Sequence, residues 1–140
     1  MKVYDAENQI VGRMSSRIAK ELLKGEQVIV VNAEKAVMSG RPKQKISHYD
    51  ERVKRGDPFH GPFFPKYPNE IFRRVVRGML PWHQARGRNA FKNLKVYISV
   101  PEEFKENPRE KIQAADASKL RTTYITLGDL STNIGAKKRW

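Results

Sequence analysis

The chain has 140 residues, no cysteine, and 28 lysines and arginines against 15 acidic side chains, a net charge of +13. That length fits one domain with a core of its own, and the lack of cysteine removes disulfides and thiolate metal sites. No apolar run approaches the roughly 18 residues of a membrane span and the N-terminus lacks an apolar signal core, so the expectation is a soluble, intracellular protein with no membrane partner.

The charge is unevenly spread. Residues 1–34 hold five basic and five acidic side chains, residues 35–95 hold fifteen and four, and residues 96–140 hold eight and six. A merely solubilising surface would scatter its cations, whereas concentration in the middle of the chain points to a polyanionic partner that neutralises their mutual repulsion.

Lys2 to Asp5 reads as an opening strand and Asn8 to Gly12 as a turn into a helix from Val11 to Lys24. Val11, Met14, Ile18 and Leu22 share one face of that helix, and Arg13, Arg17, Lys20 and Lys24 share the opposite one. Gly25 fits a C-cap, and Gln27 to Val31 is an apolar, β-branched run of the kind buried on both faces of a sheet. Strand, helix and strand make a βαβ unit.

Ser39-Gly40-Arg41-Pro42 reads as a turn delivering a helix from Lys43 to Arg55, with Ile46, Tyr49 and Val53 on one face and Lys45, Arg52 and Lys54 off it. Gly56 to Pro68 follows, thirteen residues with four prolines, two glycines and five rings counting His60. It has two compatible readings. One is a stiff arm presenting rings and cations such as His60 and Lys66 to an RNA surface; the other is a loop folded back with Phe63 and Phe64 as anchors.

In the next helix, Ile71, Phe72, Val75, Val76 and Met79 face a core while Arg73, Arg74 and Arg77 lie opposite, and Pro81 stops it. Arg86-Gly87-Arg88 reads as a basic, hairpin-like run whose glycine lets backbone approach a phosphate held by both flanking cations, and Val96 to Val100 as a strand. Trp82 either stacks on an unpaired base or packs beside Pro81. Further on, Pro101 to Phe104 starts a helix, with Glu102 and Glu103 as its N-terminal carboxylates; Glu110 to Lys119 is helical, Tyr124 to Leu127 a strand, and Asp129 to Ile134 a short helix before a basic tail.

Catalytic patterns are weak. The first βα turn has a single glycine, Gly12, where a dinucleotide or P-loop site needs several. His48, His60 and His83 lie on different elements without metal-ligand spacing, and Ser47, His48 and Asp50 are too close along a helix to align as a triad. The expectation is no enzyme, no metal and no cofactor. The cations Arg13, Arg17, Lys35, Arg41, Lys43, Lys45, Arg52, Lys54, Arg55, Arg73, Arg74, Arg77, Arg86, Arg88 and Lys92 come instead from at least three elements. Such a dispersed surface suits irregular RNA better than a DNA groove, and there is no helix-turn-helix, zinc-finger or basic-zipper pattern. A small enzyme on a Rossmann-like core and a free-standing regulatory RNA binder are the competing readings.

The segments VGRMSSRIAKELLKGEQVIVVNAEKAVMSG and FRRVVRGMLPWHQARGRNAFKNLKVYISVP resemble the universal large-subunit ribosomal protein family L-thirteen over nearly the whole chain, through Val31-Asn32-Ala33-Glu34, Val76 to Pro81 and Leu94 to Tyr97. The wording around GPFFPKYPNEIF resembles the archaeal and eukaryotic branch, with an archaeal compactness. The resemblance implies a three-layer α/β/α domain over residues 1–140, with a small, mostly parallel sheet of about four strands. It also implies a non-catalytic constituent of the cytoplasmic large ribosomal subunit, monomeric there, that binds large-subunit (23S-type) rRNA during assembly and touches neighbouring ribosomal proteins without any small-molecule substrate. The matching contact regions are Arg13 and Arg17, Ser39 to Lys45 including Gly40, and Arg73 to Arg88 including Trp82 and Gly87.

Overall fold

The computed structural model describes residues 1–140. In chain order it contains β1 (Lys2–Asp5), α1 (Val11–Leu23), β2 (Val28–Val31), β3 (Val37–Ser39), α2 (Pro42–Lys54), α3 (Pro68–Gly78), α4 (Ala85–Lys92), β4 (Leu94–Val96), β5 (Tyr124–Thr126) and α5 (Leu127–Asn133). The fold is α/β. Its sheet has three parallel strands in the order β1-β2-β4, with β3 and β5 forming a separate antiparallel pair.

The opening βαβ unit follows its sequence pattern. Val11, Met14, Ile18 and Leu22 are buried, and Arg13, Arg17, Lys20 and Lys24 are exposed. The end of α1 is a Schellman motif: the Gly25 N–H donates to the Leu22 carbonyl at 3.0 Å and the Glu26 N–H to the Glu21 carbonyl at 3.2 Å. Gly25 sits at φ +91°, a conformation that glycine adopts without a Cβ penalty. All four residues of β2 are buried, paired in register with β1 from Lys2 opposite Val28 to Asp5 opposite Val31.

Alternation along the strands divides the sheet cleanly. Tyr4, Val28, Val30, Leu94 and Val96 meet Met14, Ile18 and Leu22 of α1, Ile71, Phe72 and Val76 of α3, and Ala90 of α4 in the main core. On the other face Val3, Ile29 and Val31 are covered by Tyr97, Val100 and Phe104. The helical layer is therefore thick on one face, while the outer layer on the other is irregular chain and a single 3-10 turn at Glu102–Phe104.

Three local expectations are corrected. The strand placed at Val96 to Val100 is β4, Leu94–Val96, because Ser99 turns to φ +56° and ends the extended run. Pro101 to Phe104 and Glu110 to Lys119 form only 3-10 turns, at Glu102–Phe104, Gln113–Ala115 and Ala117–Lys119. From Glu110 to Lys119 only Ala115 and Ala117 are buried, too small an apolar stripe to hold an α-helix. That segment is tied instead to the β1–α1 turn, with the Ile10 N–H donating to Ala115 at 2.6 Å and the Ala117 N–H to Asn8 at 2.9 Å. Finally, Ser39 is the last residue of β3, which pairs with Tyr124 of β5.

Candidate nucleic-acid interface

The interface is built on α3. Ile71, Phe72 and Val76 are fully buried, each contributing about 1.5–3 kcal/mol by leaving water, and they fix the roll of the helix. Leu80 completes the apolar stripe, whereas Val75 is half-buried and Met79 is exposed, so the buried face is narrower than its sequence pattern. The roll turns Arg73, Arg74 and Arg77 away from the core. They do not stand free in water, however, because each guanidinium lies over a ring supplied by another segment.

Arg73 lies 4.8 Å from the centroid of Phe91 in α4, Arg77 lies 5.0 Å from Trp82, and Arg74 lies 5.6 Å from Phe64. Trp82 and Phe91 meet edge to face at 5.3 Å. Phe64 is shared with α2, whose Arg52 sits 5.7 Å from it and from Tyr49. The three α3 arginines, Phe64, Trp82 and Phe91, with Phe63, Pro65 and Glu70, line a groove of about 370 Å³. Cation–π contacts of this kind hold guanidinium planes in fixed orientations while leaving their charge unneutralised.

Glu70 lines the groove, yet none of its three arginines makes an ion pair, and the buried Nε of Arg73 has no hydrogen-bond partner. Burial, and then the neighbouring Arg77, hold the Arg74 guanidinium below the ordinary arginine range. Three like charges have been gathered around one carboxylate that pairs with none of them, an arrangement that favours binding of a further anion.

The other expected site residues scatter around this groove. Arg86, Gly87 and Arg88 are helical, within α4, and do not form a hairpin-like run. Two residues apart on a helix, Arg86 and Arg88 point to different sides and cannot grip one phosphate together. Gly87 is buried, and a Cβ there would stand 2.2 Å from the Pro81 carbonyl oxygen, so the glycine serves close packing of α4 against Pro81. Arg86, Arg88 and Lys92 remain exposed.

Arg13, Ser39 and Lys45 share a second hollow between α1 and the start of α2, beside Val75 of α3, and Lys45 curls so that a Cβ at Gly40 would meet its Cε at 3.1 Å. Arg41 and Lys43 are exposed at the start of α2. Arg17 pairs with Glu21 at 3.4 Å and Lys35 with Glu7 at 3.1 Å, so both carry a neutralising partner. Arg52, Arg55, His60 and Lys66 are exposed, with His60 3.3 Å from Asp57. In the proline-rich segment Phe64 is an anchor against Tyr49, while Phe63 and Phe59 stay exposed, at 68% and 87%. The folded-back reading therefore holds for Phe64 and not for Phe59 or Phe63.

At the carboxyl ends of β1 and β2, where open α/β sheets commonly place a nucleotide, the polar side chains are engaged with one another and with backbone. Asp5 accepts from Asn32 Nδ2 at 2.9 Å, and Glu34 accepts from the Ser99 N–H at 3.0 Å. The adjoining pocket is lined by Glu7, Glu34 and Asp129 against one cation, Lys35, itself paired with Glu7, a balance that disfavours phosphate.

Residues 1–103 match the family model for Ribosomal protein L13. The chain belongs to this family. It is 47% identical over 135 residues to large ribosomal subunit protein uL13 of Archaeoglobus fulgidus, covering 95% of this chain and 86% of that protein. The namesake of Methanopyrus kandleri is 48% identical over 137 residues, with the same shares, and that of Methanosarcina barkeri 46% over 139 residues, covering 98% and 99%. L13 proteins are ribosomal structural proteins and not enzymes.

The family match takes in all of the groove-lining residues. Sequence reasoning found the groove's arginines and Trp82 but missed Phe91 and Glu70, and did not connect Phe63 and Phe64 with α3. The available signal was the alternation of rings and arginines from Phe63 to Phe91, which a helix-by-helix reading divides among separate elements.

Proposed function

We propose that the protein is a structural constituent of the cytoplasmic large ribosomal subunit, where it binds and stabilises folded large-subunit rRNA during assembly and touches neighbouring ribosomal proteins. The contact surface comprises the groove on α3, the exposed cations of α4, the hollow between α1 and α2, and the cations of the proline-rich segment. The observation that carries this reading is the set of three ring-backed arginines with no ion-pair partner. Phosphates brought close by RNA folding repel one another, and cations fixed on a rigid core replace the diffuse counterions that would otherwise hold them apart. The role requires no catalysis.

The test is competition binding of large-subunit rRNA fragments against unrelated structured RNA of equal length, with wild type and an Arg73→Ala/Arg74→Ala variant. The expected result is a preference for one rRNA fragment that the variant loses while its melting curve stays cooperative. Equal binding of all RNAs by wild type would overturn the reading.

A further inference from the structure

The groove on α3 has features that a general phosphate-binding face does not require. The guanidinium carbons of Arg73 and Arg77 lie over rings, 4.8 and 5.0 Å from the centroids, and both side chains line the groove, so each planar cation is held in place where a base could stack against it. At the same groove Phe63 is 68% exposed and makes no aromatic pair, leaving a ring available for a further stack. Glu70 adds a carboxylate that repels phosphate but accepts hydrogen bonds from the N–H groups on a base edge. A volume of about 370 Å³ lies near the lower end of small-molecule sites, room for one nucleoside unit rather than a strand or a helix.

We infer that this groove receives a single unpaired nucleobase, extruded from the bound RNA, which stacks on the guanidinium and aromatic faces while Glu70 meets its edge. The inference rests on the RNA-binding reading and goes beyond it by dividing the surface into two kinds of contact. The exposed cations of α2 and α4 hold phosphates without regard to pairing. The groove instead selects a position where the RNA strand is unpaired, because bases inside an A-form helix do not offer their faces to a protein.

The experiment compares a short single-stranded purine oligoribonucleotide with the duplex it forms with its complement, using fluorescence anisotropy at one salt concentration. The measured quantity is the ratio of the two affinities in wild type, Arg73→Lys/Arg77→Lys and Phe63→Ala. Lysine retains the charge but removes the planar stacking face. Phe63 is exposed, so its truncation leaves the core intact even if the double variant melts early.

The expected result is a fall of about tenfold in the single-strand to duplex ratio for either variant, the scale of one lost base stack. An unchanged ratio in Phe63→Ala and in a folded double lysine variant overturns the inference. The rRNA-fragment competition on wild type separates the two failures. If fragment preference stands while the ratio is unmoved, only the unpaired-base site is wrong; if fragment preference is absent, the ribosomal RNA reading itself falls.

Discussion

Arg77 lies over the ring of Trp82, with the guanidinium carbon 5.0 Å from the ring centroid. The contact joins the last turn of α3 to the segment beyond Pro81, and the edge-to-face meeting of Trp82 with Phe91 extends it to α4. A charged residue that sequence periodicity assigns to the solvent face therefore does two things: it packs a ring, and it keeps a charge that no carboxylate pairs.

Replacing that residue separates the two. Arg77→Glu should lose the cation–π contact, about 0.5–1 kcal/mol for a half-exposed pair, and leave a cooperative melting transition. RNA affinity should fall much further, because one cation becomes an anion within the groove. Thermal melting and RNA titration on the same preparation check both parts, and a variant that does not fold would contradict the assigned roll of α3.

The buried face of α3 gives a paired comparison. Val76 is fully buried, whereas Val75, placed in the core by periodicity, is half-buried beside the hollow between α1 and α2. Val76→Asp should abolish folding, since an unpaired buried charge costs more than about 3 kcal/mol. Val75→Asp, free to reach water, should lower stability by only about 1–2 kcal/mol. Denaturant titrations of the two variants should differ accordingly.

Tyr4 gives a pH dependence. Its hydroxyl donates to both Glu21 carboxylate oxygens at 2.9 Å, and both residues are buried. Burial first, and then the hydrogen bond to Glu21, push the Tyr4 hydroxyl above its ordinary value of 10. The folded protein thus holds this proton more tightly than the unfolded chain, so the contribution is complete below about pH 10 and is lost as pH rises beyond it. Tyr4→Phe should cost about 1–3 kcal/mol near neutrality, by leaving a buried carboxylate short of a donor, and should flatten the alkaline loss. Denaturant titrations at neutral and strongly alkaline pH measure both effects.

Two helical glycines should respond with opposite signs. A Cβ at Gly12 meets nothing within 4 Å, so Gly12→Ala should stabilise by about 0.5–1 kcal/mol through helix propensity. At Gly87 the same atom would stand 2.2 Å from the Pro81 carbonyl, and Gly87→Ala should destabilise by about 1–3 kcal/mol as α4 is forced outward. Melting temperatures of the two variants should move in opposite directions.

The opening βαβ unit is legible in the sequence because each of its elements carries a complete periodic pattern, and Gly25 marks the end of α1 by conformational need. The apolar side of α3 is legible for the same reason. What periodicity cannot supply is the partner of the polar side: the rings beneath Arg73, Arg74 and Arg77 come from residues 64, 82 and 91, brought in by loops and a neighbouring helix. β3 is hidden because three residues show no period, and its pairing with β5 spans most of the chain. The hairpin-like reading of Arg86 to Arg88 fails because Gly87 marks close helix packing rather than a turn, and only its distance to Pro81 reveals the difference.

If fixed, unpaired cations bind folded ribosomal RNA, the affinity depends steeply on salt. Binding of the preferred large-subunit rRNA fragment should weaken linearly on a log–log plot against salt, and Arg73→Ala/Arg74→Ala should make the slope shallower by the counterions those two cations displace. Preference over unrelated structured RNA should persist along the series. A slope that the two substitutions leave unchanged would mean that these cations do not neutralise the RNA.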